Sequence, residues 1–181
     1  MRDAITNPVF LAEPLRLYVV AVRAGWREEA SLAARGTLVL GLYDDVHTEL
    51  LRRLPTLDLM VLLGLHRRRR DLLDQMLSGQ WEDAEGQSFG LGKKVVGGTC
   101  AACAYVTDNH VWREYRARIF LEMDRRPLGD TVLGSAVDDW SEAQACWRAK
   151  CAREGCDKLL WDRDTIMPQL KACIDRLPDA I

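Results

Sequence analysis

The chain has 181 residues, 48% of them apolar and 29% charged, with a formal net charge of -2. That length supports one domain with a substantial core, and the near-neutral balance gives no general pull toward nucleic acid or an anionic membrane surface. The longest apolar run, LMVLLGL from Leu59, is far too short to span a bilayer. The N-terminal MRDAITNPVFLAEPL also lacks the continuous apolar centre of a secretory signal. The expectation is an intracellular protein whose six cysteines stay reduced.

Nearly every periodic segment reads as helix. Pro14 suits a first helical turn and Gly25 a helix end, with LRLYVVAVRA between them. WREEASLAARGTL follows and sets Ala30, Ala33, Ala34 and Thr37 on one face, so residues 14–39 are predicted as a close αα-hairpin. In YDDVHTELLRRL, Val46, Leu50, Leu51 and Leu54 recur at helical spacing until Pro55, where Thr56 can start a new helix. That helix is apolar nearly all round in its first half, which predicts burial, and Arg67–Arg70 then interrupt it.

The glycines of residues 78–99 predict a loop or short strand, with KKVVGG as one edge of a small hairpin. Asp108 opens a helix whose stripe is Val111, Trp112, Tyr115, Ile119 and Met123. Pro127 and Gly129 make a turn, and Ser135 with Asp138 resembles a capping box ahead of a helix carrying Trp140, Ala143 and Trp147. A last helix is predicted over roughly 157–177. The fold class is therefore mainly α: a single helical domain, 1–181, of about seven or eight helices. It carries a short irregular or hairpin insert at 78–107, the glycine-rich loop with the proximal C-x-x-C.

The cysteines carry the main chemical signal. Cys100 and Cys103 have the spacing at which one knuckle turn aims two sulfurs at one ion, and Gly97 and Gly98 lie beside them. Cys151 and Cys156, separated by AREG, form the distal pair, with Gly155 breaking the helix just before Cys156. These four are the predicted ligands of a structural Zn²⁺, with Cys146 or His110 as substitutes for one of them. Free cysteine is also among the most buried residue types, so inert thiols are the competing reading. Cys173, in the stripe of Ile166, Leu170 and Ile174, is most simply core. A dithiol oxidoreductase would set its C-x-x-C after a strand in a βαβ pattern, and the sequence has none.

Elsewhere the chemistry is sparse. HRRRR, residues 66–70, spreads its charge round a helix and reads as a solvated helix end beside Asp71 and Asp74. His47 and His66 have no evident partners. Acid pairs such as Asp44/Asp45 and Asp138/Asp139 suit first helical turns, where the helix dipole explains them. With no nucleophile elbow, phosphate loop or dinucleotide fingerprint, the expectation is a non-catalytic module, the rival being a metal- or thiol-dependent enzyme.

The run EPLRLYVVAVRAGWREEASLAARGTL resembles the segment that follows the BTB/POZ core in a large group of fungal BTB-domain proteins. Pro14, Tyr18, Glu28, Glu29, Ala30, Ala33, Ala34, Thr37 and Leu38 match its recurring pattern, and LMVLLGLHRRRRDLL resembles the next helix. The order of CAAC, the tryptophan helix and the cysteine-bearing tail is similar over residues 10–177. The resemblance implies an adaptor-type module that binds a protein partner, with no catalytic residue to carry over. Because the match starts at residue 10, the BTB fold that usually dimerises such proteins is not expected, and a monomer is.

Overall fold

The computed structural model describes residues 12–79 and 98–181. Among these the chain is mainly helical, with eight α-helices: α1 Pro14–Ala24, α2 Arg27–Gly36, α3 Thr48–Leu51, α4 Thr56–Ser78, α5 His110–Arg125, α6 Asp130–Leu133, α7 Ser141–Arg148 and α8 Arg163–Asp175. Single 3-10 turns lie at Thr37–Val39, Asp45–His47 and Ser135–Asp139. The expected KKVVGG hairpin edge falls outside the described residues, apart from Gly98. The chain forms two compact units, each with its own apolar cluster.

The first unit comprises described residues 12–69 with Asp124–Leu128 and Pro178–Ile181. Pro14 stands in the first turn of α1, and Gly25 closes the helix at φ 71°, donating its N–H to the last carbonyls. Ala30, Ala33 and Ala34 are buried on α2, as the hairpin reading expects. A Cβ at Gly36 would lie 2.8 Å from the Pro14 Cβ, so the helices meet where only glycine fits. Tyr18 is fully buried and its hydroxyl donates to the Asp58 carbonyl (3.0 Å), which fastens the start of α4 to α1. Burial, then the nearby Asp58 charge, pushes this phenol up to about 12.

Three expectations for this unit fail. The first half of α4 is not buried all round: Leu57 is 80%, Met60 62% and Val61 47% exposed, while Leu62 and Leu65 face the core. Helical periodicity could not choose between faces that are both apolar. The HRRRR stretch is not simply a solvated end either, since His66 and Arg69 are buried. Arg69 donates to the carbonyls of Pro127 (2.7 Å), Leu128 (3.3 Å) and Pro178 (2.8 Å), gathering three distant backbone segments. Such segments have few partners of their own in a turn, and a five-donor guanidinium suits them. In the predicted helix around residues 43–54, only a 3-10 turn and the single-turn α3 form, and Val46 is 77% exposed.

The second unit comprises described residues 70–79, 98–123 and 129–177. Trp112, Tyr115, Ile119 and Met123 of α5 are fully buried, as the stripe predicts. Trp161 stacks on Trp112 with ring centroids 4.7 Å apart and an 18° interplanar angle, and Tyr115 meets Trp147 edge to face at 5.1 Å. Such pairs contribute about 1 kcal/mol beyond the area they bury. Gly129 adopts φ 87°, and a Cβ there would strike Ile174 at 2.9 Å. The capping-box-like Ser135 starts a 3-10 turn instead of the following helix. The last helix begins at Arg163 and not near 157, because the residues before it form an extended loop.

His66 gives a pH test of this packing. The Thr37 hydroxyl donates to the Ala34 carbonyl at 2.6 Å, so its oxygen accepts from Nε2–H of His66 at 2.9 Å. Burial, then the Arg69 charge, lowers the His66 pKa from 6.5 to about 4. Between those values the unfolded chain takes up a proton that the folded chain rejects. This contribution is therefore intact above pH 6.5 and is lost as pH falls to about 4, by roughly 3 kcal/mol in all. In denaturation measured across that window, His66→Gln is expected to fall less steeply than wild type.

Candidate metal centre

Two loops of the second unit carry the cysteines. In the first, Thr99 and Val106 form an antiparallel bridge. Thr107 N–H reaches the Gly98 carbonyl (2.7 Å), Cys100 N–H the Tyr105 carbonyl (2.8 Å) and Ala104 N–H the Cys100 carbonyl (2.8 Å). The reversal after Cys103 places Ala104 at φ 54°, the left-handed region that alanine adopts only at a cost. In the second loop, Lys150 and Leu159 form the bridge. Cys151 N–H bonds the Lys158 carbonyl (2.9 Å) and Cys156 N–H the Arg153 carbonyl (3.0 Å). Here Gly155, at φ 77°, makes the turn without strain. Arg153 donates to the Cys103 carbonyl (3.2 Å) and ties one loop to the other.

The loops bring together Cys100, Cys103, Cys151 and Cys156, whose sulfurs all lie within 4.8 Å of one another, a group that could hold a metal ion. Cys100 Sγ is 3.8 Å from Cys156 Sγ, and Cys103 Sγ is 3.6 Å from Cys151 Sγ. In a regular tetrahedron with Zn–S bonds of about 2.3 Å, neighbouring sulfurs would be about 3.8 Å apart. These two separations match that spacing, and the group as a whole, within 4.8 Å, is compact enough for one ion.

Electrostatics point the same way. Backbone N–H groups, that of Ala102 first, bring the Cys100 thiol down to about 7. The Arg153 N–H acts likewise on Cys151, but burial and the adjoining thiols outweigh it and push that group up to about 12. Cys156 is also raised, the neighbouring sulfurs overcoming the Lys158 N–H. One thiol of the group ionises readily and the next resist, because thiolates in contact repel. A bound cation removes that repulsion.

The two expected substitutes are elsewhere. Cys146 is fully buried in the apolar cluster of the unit, and His110 Nδ1 lies 3.3 Å from an Asp108 carboxylate oxygen, outside the sulfur group. Cys173 is core, and burial holds its thiol at about 12. A cavity of about 470 Å³ adjoins Cys100, lined also by Thr107, Asn109, Lys158, Trp161 and Asp162. Among the described residues no histidine lines it, so they form no cysteine–histidine–carboxylate constellation there.

The sequence reading missed how the loops are seated. Trp112 follows the first loop and Trp161 the second, and their stacked rings sit at the start of α5 and just ahead of α8. The signal was present in the tryptophan that trails each cysteine pair. No family model matches the chain, and neither the curated proteins nor the solved structures provide a match. The resemblance to the region after the BTB core thus rests on the quoted residues alone.

Relieving the strained turn tests the first loop. Ala104→Gly removes a left-handed penalty of about 1–2 kcal/mol while adding somewhat less freedom to the unfolded chain. A net stabilisation of up to about 1 kcal/mol is expected in equilibrium denaturation, whereas Ala102→Gly, outside that region, is expected to give none.

Proposed function

We propose that the chain is a non-catalytic, adaptor-like helical module that binds a protein partner inside the cell, its second unit held by one structural Zn²⁺ on Cys100, Cys103, Cys151 and Cys156. The observation that carries this reading is what the two loops bury. Across residues 98–107 and 150–159, only Cys100, in the first, and Cys151, in the second, are buried, while Tyr105, Val106 and Leu159 are exposed. Ordering ten residues costs on the order of 10 kcal/mol in backbone entropy, and hydrocarbon burial there supplies little against it. Structural zinc contributes roughly 10–16 kcal/mol in small thiolate sites, the right size to close that gap. Four thiolates fill the tetrahedron and leave no position for water or substrate, which favours a stabilising ion over a catalytic one. The adaptor role rests on the resemblance of the N-terminal hairpin to the segment following BTB cores.

Elemental analysis of purified protein is expected to give one zinc per chain. Thiol titration should find the four ligands protected until a chelator is added, with Cys146 and Cys173 protected until unfolding. Cys103→Ser should abolish zinc binding and lower the melting temperature far more than Cys173→Ser. Zinc-free protein with unchanged stability would remove the metal reading. Affinity capture with mass spectrometry tests the partner, and reproducible substrate turnover lost in Cys103→Ser would favour the enzyme reading instead.

A further inference from the structure

The four sulfurs of the second unit also fall into pairs. Cys100 Sγ lies 3.8 Å from Cys156 Sγ and Cys103 Sγ 3.6 Å from Cys151 Sγ, and both contacts run from one loop to the other. A disulfide has an S–S bond of about 2.05 Å, so in either pair the sulfurs need to approach by less than about 2 Å. The loops already hold the required register. Arg153 donates to the Cys103 carbonyl across them, and an antiparallel bridge closes each loop at its base.

Exposure divides each pair. Cys100 and Cys151 are buried, at 3% and 7% exposed, whereas Cys103 and Cys156 are half-buried. Each contact thus joins a sulfur that a small solute reaches to one that it does not, as an attacked cysteine is joined to its resolving partner. Pairing Cys100 with Cys151 would set two buried sulfurs together and give a solute no entry. Pairing within each loop would join residues three and five apart, whereas the contacts between loops join residues 56 and 48 apart. A link across the longer stretch removes far more freedom from the unfolded chain, so it favours the folded form more.

We propose that the four cysteines are a site of reversible oxidation by hydroperoxides, forming Cys100–Cys156 and Cys103–Cys151 disulfides that join the loops covalently. The thiolate of Cys103 or Cys156 attacks a peroxide oxygen. An S–O bond forms, the O–O bond breaks, and the departing oxygen takes a proton and leaves as water or an alcohol. The thiolate of the buried partner then attacks that sulfur, forming the S–S bond and displacing the hydroxyl, which takes a proton and leaves as water. Each disulfide reduces one peroxide by two electrons, so the full change consumes four thiolates, two peroxides and four protons. With hydrogen peroxide it yields four waters. Release of Zn²⁺ in this step rests on the metal reading, since thiolates and not disulfide sulfurs are the ligands, but the pairing of the sulfurs does not. The loops exchange an ionic clasp for a covalent one and stay joined in both states.

Hydrogen peroxide, in small excess over two equivalents, added to the reduced full chain tests this. After acid quench and unfolding, the thiols open to alkylation are expected to fall from six to two. Those left are Cys146 and Cys173, both 0% exposed. Trypsin cuts after Arg153 and separates Cys151 from Cys156, and fragmentation between Cys100 and Cys103 assigns their partners. The expected map is Cys100–Cys156 with Cys103–Cys151 inside one chain, reversed by dithiothreitol. The oxidised chain should also melt higher than reduced protein stripped by a chelator. Disulfides within each loop, sulfinic or sulfonic acids in place of disulfides, or six surviving thiols would each overturn the proposal. A metallochromic dye follows zinc in the same samples. Starting protein without zinc would defeat the metal reading alone, because the disulfide map is read independently of it.

Discussion

Residues 98–107 and 150–159 bury almost no hydrocarbon, yet both hold turns closed by backbone hydrogen bonds. What both bury is sulfur. The convergence of four Sγ atoms is therefore the constraint that these two loops share. Each loop reverses so as to turn its cysteines inward, one through a strained Ala104 and the other through an unstrained Gly155. The crowding that results makes successive ionisations harder, as the spread between Cys100 and Cys151 expresses. Ionised together the four thiols would repel, and a cation held by the group would relieve that repulsion.

The apolar cluster beneath serves the same end. Trp112 and Trp161 stack directly, and each is close in sequence to one cysteine pair. Tyr115 extends the aromatic group to Trp140 and Trp147. Rigid rings with two side-chain torsions lose little entropy on packing, so they make firm supports for loops that cannot pack themselves. Cys146 and Cys173 belong to this hydrocarbon and not to the sulfur group. Chemically identical residues thus do different work according to whether backbone N–H groups or methyl groups surround them.

The first unit shows a similar division within one helix. On α4, His66 and Arg69 turn inward, His66 as a neutral donor to Thr37 and Arg69 as a clasp for three carbonyl groups, while Arg68 turns outward. A run of like residues acquires distinct roles because successive helical positions are 100° apart. The same geometry places Leu62 and Leu65 in the core and leaves Leu57, Met60 and Val61 outside.

Much of this was legible in the sequence where the signal is local. Pro14 and Gly25 bound α1, the alanines of α2 mark its buried face, and the spacing of Cys100 and Cys103 announces a knuckle, because caps, periodicity and short-range turns depend on neighbours along the chain. The four metal-ligand candidates were also readable from the spacing within each pair, although the first loop turns at Ala104 and only the second at the glycine the reading relied on. Other outcomes required the tertiary structure. The choice of Cys151 over Cys146 depended on the chain leaving helix after Arg148, which in turn delays α8 to Arg163. The burial of His66 and Arg69 depended on carbonyls far away in sequence, and the exposed side of α4 depended on which of two apolar faces α1 and α2 had already claimed. Sequence fixes the faces a helix offers; only the packing of distant segments decides which of them is covered, because burial is a property of the partner as much as of the residue.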